Sequence, residues 1–343
     1  MGADAVELSV PAPGGQTRTV RVSSPDRIYF PDIGLTKLDL ARYYQSVGEP
    51  ITRALRARPC MLHRFPKGTT GKKVHQKKLP AGAPDWVETV DVYFPRYSRI
   101  VQELCVTEPA AVLWAVQMAT VEFHPWNSRR AEPAQPPSLR SPAQPPSLRS
   151  PAQPPSLRSP GIERPDEWRI DLDPMPDCDF ARVRRVAHLV HEVLDELGIT
   201  GYPKTSGGHG LHVYVRIEPD YEFTDVRRAA HAFGAEVARR SAGEATVTWW
   251  RKDRDPSSVF VDFNQNARDH TMAAAYSVRA TPRATVSTPI TWDEIDDVEP
   301  DDFTVATVPE RLGRLGDLHE PIDDVAYRLD TLLEWDDRDT ADH

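Results

Sequence analysis

Apolar positions along this chain follow two periods. Leu40, Tyr43, Tyr44 and Val47 recur at helical spacing behind Thr36, a suitable N-cap, so a helix is predicted over 36–55. Another is predicted over 109–118, leading into a short apolar run before His124. Phe180, Val183, Val186, Leu189, Val190, Val193, Leu194 and Leu197 give the longest helical stripe, which Gly198 stops. An amphipathic helix is predicted over 224–240, and Ile322, Val325, Ala326, Leu329, Leu332 and Leu333 mark a last, acidic one. A short strand is predicted at 169–173, and strict alternation marks further strands at 211–217 and 259–264. Strands and helices mix without regular βαβ repetition, which predicts an α+β fold with a mixed sheet.

One stretch fits neither period. PAQPPSLRS occurs three times in tandem from Pro133 to Ser159. Proline has no N–H for a ladder, and the repeats carry too little apolar mass for a core. They predict an extended, mobile insertion over 131–161, a passive spacer between an N-terminal lobe (1–130) and a second lobe (162–336), with 337–343 as a tail.

Charge changes the picture once it is divided. The net charge is −9, yet from Asp293 onward 18 acidic residues face 4 basic ones, leaving 38 basic against 33 acidic in residues 1–292. Arg64, Lys67, Lys72, Lys73, Lys77 and Lys78 follow one another with no acid between them. A local basic surface, not the overall balance, decides whether phosphates bind, so the N-terminal lobe qualifies. No apolar run approaches the ~18 residues of a membrane span, and MGADAVELSV has no secretory pattern. Cys60, Cys105 and Cys178 lack metal-type spacing and read as reduced thiols, so a cytoplasmic protein without membrane contact is expected.

The chemistry lies on three strands. In Ile170-Asp171-Leu172-Asp173 both aspartates share one face and both apolar residues the other. Val259, Val261 and Phe263 leave Asp262 on the reverse face, and Leu211, Val213 and Val215 leave His212 and Tyr214 there. If these strands are neighbours, three carboxylates and a histidine converge. Clustered carboxylates repel unless cations separate them, and oxygen donors suit Mg²⁺ or Mn²⁺. Two such ions serve phosphoryl transfer. The turn Thr205-Ser206-Gly207-Gly208-His209-Gly210 lets backbone approach a ligand, and its N–H groups suit a triphosphate. Singly each signal is common; their order and joint occurrence carry the weight.

RIDLDP, YPKTSGGHGLHVYV and VFVDFNQNARDHTMAAAYSVRATPRATVSTPITWDE together resemble the three motifs of the bacterial DNA ligase D polymerase domain, in the archaeo-eukaryotic primase superfamily, and most of all its stand-alone actinobacterial relatives. The resemblance runs from about Ser24 to Trp335, broken by the proline-rich repeats. It implies a primase-polymerase fold in which Asp171, Asp173 and Asp262 are the catalytic ligands of two Mn²⁺ or Mg²⁺ ions. Ser206, His212, His124 and Arg279 match nucleotide contacts. Lys37, Arg27 and Ser24 match a pocket for a DNA 5′-phosphate, with Ser24 where asparagine is usual. Two template-stacking phenylalanines are replaced by Val74 and His75 ahead of Gln76-Lys77, leaving His75 and Lys77 as the template contacts. His209 stands where lysine is frequent, Gln265 where arginine is, and no Lys-x-Asp-Gly ligase motif occurs.

By the same resemblance the protein adds ribo- or deoxyribonucleotides to DNA 3′ ends, filling gaps in double-strand break repair by end joining. Its partners would be DNA ends or gaps, nucleoside triphosphates, Ku and a separate ATP-dependent DNA ligase, at the nucleoid. The alternatives are a non-catalytic DNA-end-binding module and another Asp-x-Asp enzyme; a phosphatase of that kind wants Thr or Val where Met175 stands.

Overall fold

The structure is a computed structural model describing residues 4–80, 82–131 and 161–341, with side chains described to residue 338. The proline-rich repeats lie outside the described residues. β1 (Val6–Ala12) and β2 (Gln16–Val22) form an antiparallel hairpin, and β3 (Ile28–Phe30) pairs with β4 (Leu35–Thr36). Thr36 caps α1 (Lys37–Ser46): its hydroxyl accepts the Asp39 N–H, and the Asp39 carboxylate accepts the Thr36 N–H. The helix predicted over 36–55 breaks after Ser46, and α2 (Gly48–Leu55) follows. Pro50 explains the break, because it offers no N–H to the Ser46 carbonyl and its ring would strike that carbonyl in a continuous helix.

The first sheet has five strands: β5 (Pro59–Arg64), β6 (Val74–Gln76), β7 (Thr89–Phe94), β8 (Arg99–Cys105) and β9 (Thr120–Pro125), in the order β6-β5-β8-β7 with β9 also on β5. α3 (Pro109–Gln117) is buried over all but its last residue and leads into β9. The second sheet also has five: β10 (Glu167–Pro174), β11 (Tyr202–Thr205), β12 (Leu211–Arg216), β13 (Ala245–Thr246) and β14 (Val259–Val261), in the order β11-β12-β10-β14-β13. α4 (Phe180–Glu196) and α5 (Phe223–Arg240) cover it. Asp179 caps α4, and Gly198 closes it at a φ of 66°.

Both sheets share one apolar cluster that runs from Leu8 to Leu332. Tyr44 ties the first sheet to the chain around Val278, donating to the Val121 carbonyl at 2.6 Å and accepting the Val278 N–H at 2.9 Å. Arg169 of β10 is wholly buried and spends its donors on Glu167 and on the Pro125 and Trp126 carbonyls, so β10 is bolted to the end of β9.

Two predicted elements differ. The alternation over 259–264 stops at Val261, where Asp262 caps a 3₁₀ turn (Phe263–Asn266) by accepting the Asn264 N–H at 2.9 Å. The acidic helix predicted from Ile322 to Leu333 is only partly formed: α6 (Val308–Leu315) precedes it, a 3₁₀ turn holds Glu320–Asp323, and α7 (Asp330–Ala341) begins only at Asp330. Between them Tyr327 donates to the Arg216 carbonyl and accepts the Glu218 N–H, each at 3.0 Å, which draws the chain out along the end of β12 and leaves Val325 exposed. Acids of this segment meet arginines of the body: Asp317 with Arg53, Asp323 with Arg129 and Arg216, Glu299 with Arg184, and Asp336 and Asp337 with Arg228. Among the described residues no helix is long and apolar enough to cross a membrane.

Candidate active site

The register of the second sheet sets the site. Pairing of β10 with β12 puts Asp171 opposite His212, and pairing with β14 puts Asp173 opposite Phe260. The Asp262 N–H donates to the Asp171 carbonyl at 2.8 Å. Ile170 faces Val213 and Leu172 faces Leu211 on the buried side, so the alternation fixes which side the aspartates take. His212 Nε2 lies 3.4 Å from Asp171 Oδ1.

Burial raises the Asp171 carboxyl well above its usual range, and repulsion from Asp262 and Asp173 adds to it. Asp173 is raised for the same reasons, with Arg251 and Arg254 opposing. Gln265 donates to Asp262 at 3.0 Å. This is an oxygen-only donor set burdened by its own negative charge, and it fits a hard divalent cation.

Behind His212 stands a residue that its sequence position does not announce. Lys204 of β11 is wholly buried, 2.8 Å from His212 Nδ1, with the Ser287 hydroxyl and the Ala273 carbonyl as its other partners. Burial pulls its pKa well below the usual lysine value, and the charge of Arg279 adds to that. In the turn after β11, Ser206 Oγ accepts the Gly208 and Gly210 N–H groups at 3.0 and 3.1 Å. Those two amides are therefore turned inward onto Ser206 and are not available to a cradle of N–H groups. A side chain at Gly210 would collide with the Leu172 carbonyl, so glycine is required for the turn to lie against β10. Arg279 Nη1 donates to the Ser206 carbonyl at 2.8 Å, which sets its guanidinium beside the turn.

His124 enters from the first sheet. On paired strands β5 and β9, His63 faces Glu122 and Met61 faces His124. The Glu122 Oε2 atom accepts from His63 Nδ1 at 2.6 Å and from His124 Nε2 at 2.9 Å, while Oε1 accepts the Ala280 N–H at 2.9 Å. Burial would raise Glu122, but hydrogen bonds from His124 and His63, with Arg279 nearby, outweigh it and hold the carboxyl well below its usual range. Burial lowers His124 to about 3 against the opposing Glu122 bond, so the ring is neutral near pH 7. His63, Glu122 and His124 each bring a ligand atom within 4.8 Å of the others, close enough to share a metal ion. The two imidazoles stack at 3.8 Å, so one would have to turn before both aimed a lone pair at one ion.

The remaining predicted residues form two further groups. The Arg27 N–H donates to the Ser24 carbonyl at 3.2 Å and the Lys37 N–H to the Arg27 carbonyl at 2.8 Å, so these three residues adjoin. The Lys37 ammonium donates to the Ser23 carbonyl at 3.0 Å and to Gln117 at 2.7 Å. Ser24 has a φ of 51°, a left-handed conformation that asparagine tolerates better than serine. On the other side of β5, His75 packs edge-on against His63 at 4.6 Å, and Lys77 lies 4.5 Å over the Phe94 ring. Both line an open groove of about 880 Å³ with Arg96, Tyr97 and Arg99.

The family profile described as LigD, primase-polymerase domain, matches residues 36–319. The chain belongs to that family. LigD-type relatives include the multifunctional non-homologous end joining protein LigD of Pseudomonas aeruginosa, 30% identical over 311 residues, which span 90% of this chain and 33% of the relative. The protein of the same name from Mycolicibacterium smegmatis is 28% identical over 92% of this chain and 38% of its own length. The chain thus spans about a third of the length of these relatives. A solved structure, the polymerase domain from Mycobacterium tuberculosis ligase D in complex with DNA, superposes with a TM-score of 0.77 at 27% identity, over 90% of this chain and 99% of that one. The α+β primase-polymerase fold expected of a LigD-type chain is therefore the fold observed.

The LigD motifs did not point to Lys204, Glu122, His63 or Gln117. Lys204 and Glu122 are charged residues at buried strand positions, which only a polar partner from elsewhere in the fold can justify.

Proposed function

We propose that this LigD-type chain is a nucleotidyltransferase that adds ribo- or deoxyribonucleotides to DNA 3′ ends, in gap filling during double-strand break repair by end joining. The observation that supports it most is the sheet register that makes neighbours of Asp171, Asp173, Asp262 and His212. Asp171, Asp173 and Asp262 would hold two Mn²⁺ or Mg²⁺ ions, whose chemistry is to activate a 3′-hydroxyl and to neutralise charge on the departing pyrophosphate. The Ser206 proton, left free by two inward amides, points to a phosphate oxygen acceptor. Arg279 keeps spare guanidinium donors for the same triphosphate, and His212 and His124 flank it. Lys37, Arg27 and Ser24 form the pocket for the 5′-phosphate across a gap, and His75 with Lys77 borders the template. In this reading residues 1–130 face DNA, residues 162–336 carry catalysis, the repeats of 131–161 are a spacer, and Ku and a separate ATP-dependent DNA ligase complete the repair. The test is extension of a primer across a gap with ribo- and deoxyribonucleoside triphosphates, in Mg²⁺ and in Mn²⁺. Incorporation by the wild type that is lost in Asp171→Ala and Asp262→Ala upholds it. DNA-end binding without incorporation in either metal replaces it with an end-binding module.

A further inference from the structure

A line of aromatic rings leads outward from the turn that Asp262 caps. Phe263 follows Asp262, with Phe260 at 6.3 Å and Trp249 at 6.0 Å between ring centroids. Cations alternate with the rings: the Arg254 guanidinium lies 3.3 Å over Phe260, and that of Arg227 lies 4.8 Å from Phe263 and 5.8 Å from Trp249. The line ends in solvent, where Trp249 is 46% and Trp250 63% exposed. Tryptophan is normally well buried, so two adjacent exposed indoles beside a charged cleft call for a partner.

The loop that carries them is pinned. Arg254 donates to the Thr248 carbonyl at 2.8 Å and to the Trp249 carbonyl at 2.9 Å, and the Asp253 N–H donates to the Trp250 carbonyl at 2.9 Å. Arg251 and Lys252 are exposed and in no ion pair among the described residues. The acids of the loop are Asp253 and Asp255, and Asp255 accepts from the Ser257 hydroxyl and N–H. Arg227, Arg251, Lys252 and Arg254 outnumber these two acids around the indoles, while Arg251 and Arg254 also act on Asp173 at the inner end of the line. Aromatic faces interleaved with arginine and lysine match the stacked bases and phosphates of single-stranded nucleic acid.

We propose that Trp249 and Trp250 form a stacking platform for unpaired bases of the DNA primer strand behind its 3′ terminus. The proposal rests on the nucleotidyltransferase reading for the identity of that strand, and on the aromatic line that joins Trp249 to the residue after Asp262 for its position. The platform holds a frayed or overhanging terminus that no template strand holds in place.

The test is binding of a fluorescent thymidine oligonucleotide of about ten residues, within the ~4–16 nucleotides of single-strand sites, without metal or nucleoside triphosphate. Trp250→Ala should weaken binding about tenfold, as loss of one stacked base does, and Trp250→Phe should restore most of it. The melting temperature should not change, because Trp250 is exposed. Quenching of tryptophan emission by the oligonucleotide should shrink in Trp250→Ala. Equal affinity and equal quenching in wild type and Trp250→Ala overturn the platform. Extension of a fully paired primer is measured alongside. A wild type that extends it while Trp250→Ala binds normally loses only the platform. A wild type that cannot extend it, yet binds through Trp250, loses only the nucleotidyltransferase reading.

Discussion

Lys204 Nζ lies 2.8 Å from His212 Nδ1 with no solvent between them, for both residues are buried. The Ser287 hydroxyl commits its proton to the Thr205 carbonyl at 2.8 Å, so Lys204 is the donor to Ser287 as it is to the Ala273 carbonyl. Lys204→Met strands these acceptors in the interior. Each stranded group costs about 1–3 kcal/mol, so urea unfolding should show a loss of about 3 kcal/mol. The affinity for nucleoside triphosphate should fall as well, because His212 loses its support.

Asp171 gives a pH-dependent prediction. Its folded-state pKa is raised by burial and by Asp262 and Asp173. A raised carboxyl binds its proton more tightly when folded, so without metal it withdraws stability as pH rises from about 4, its unfolded pKa, through the raised value. Melting in a chelator should therefore show Asp171→Asn at least as stable as wild type near neutral pH, while nucleotide addition is lost. Adding Mn²⁺ should stabilise wild type more than the variant, since only a folded-state ligand set shifts the equilibrium.

Lys37 gives another, of opposite sign. Burial, with the charge of Arg27, lowers its pKa to about 8. The ammonium is charged below that pH and lost above it. Preference for a gap ending in 5′-phosphate over one ending in 5′-hydroxyl should fade as pH rises through about 8. Lys37→Ala should lack the preference throughout while still extending a simple primer. Gap filling competed with both ends at several pH values measures this.

Glu122→Gln removes the charge on which His63 and His124 converge and loosens the Ala280 N–H contact beside Arg279. The KM for nucleoside triphosphate should rise more than kcat falls, because the change acts on nucleotide positioning. Steady-state extension at varied triphosphate separates the two.

The repeats should be dispensable. A Cβ on Gly161 would stand 2.7 Å from the Arg129 carbonyl and 2.8 Å from the Ala131 nitrogen, so Ala131 and Gly161, which flank the repeats, adjoin. Deleting 133–159 should change neither melting temperature nor extension, given the weak dependence of closure entropy on loop length. Gly161→Ala should destabilise, since it fills that contact at a φ of 88°.

Much of this site was legible because strand alternation is strict. Ile170, Leu172, Leu211 and Val213 assign a buried face, and the aspartates and His212 take what remains. The 3₁₀ turn at Asp262 was not legible, because Val259 to Asn264 keeps alternating after pairing with β10 has ended at Val261. Glu122 and Lys204 were hidden for a different reason. Their meaning lies in His63 across the β5–β9 ladder and in Ser287 on a distant loop, and no local period encodes either partner. The break at Pro50 was readable from its missing N–H and was overridden by the continuous apolar stripe around it.

The acidic segment after Asp293 has a consequence for how the molecule meets DNA. Its carboxylates are matched to Arg53, Arg129, Arg184, Arg216 and Arg228. These arginines are thus supplied with a resident counterion, and a polyanion reaching them would have to displace a tethered competitor of its own charge. Among the described residues, cations that pair with no acid of this segment, the Lys72, Lys73, Lys77 and Lys78 run and Lys252 among them, are left to set the electrostatic footprint. A chain of net charge −9 should therefore bind DNA with the salt dependence of a basic protein, its slope set by the cations that carry no such resident counterion.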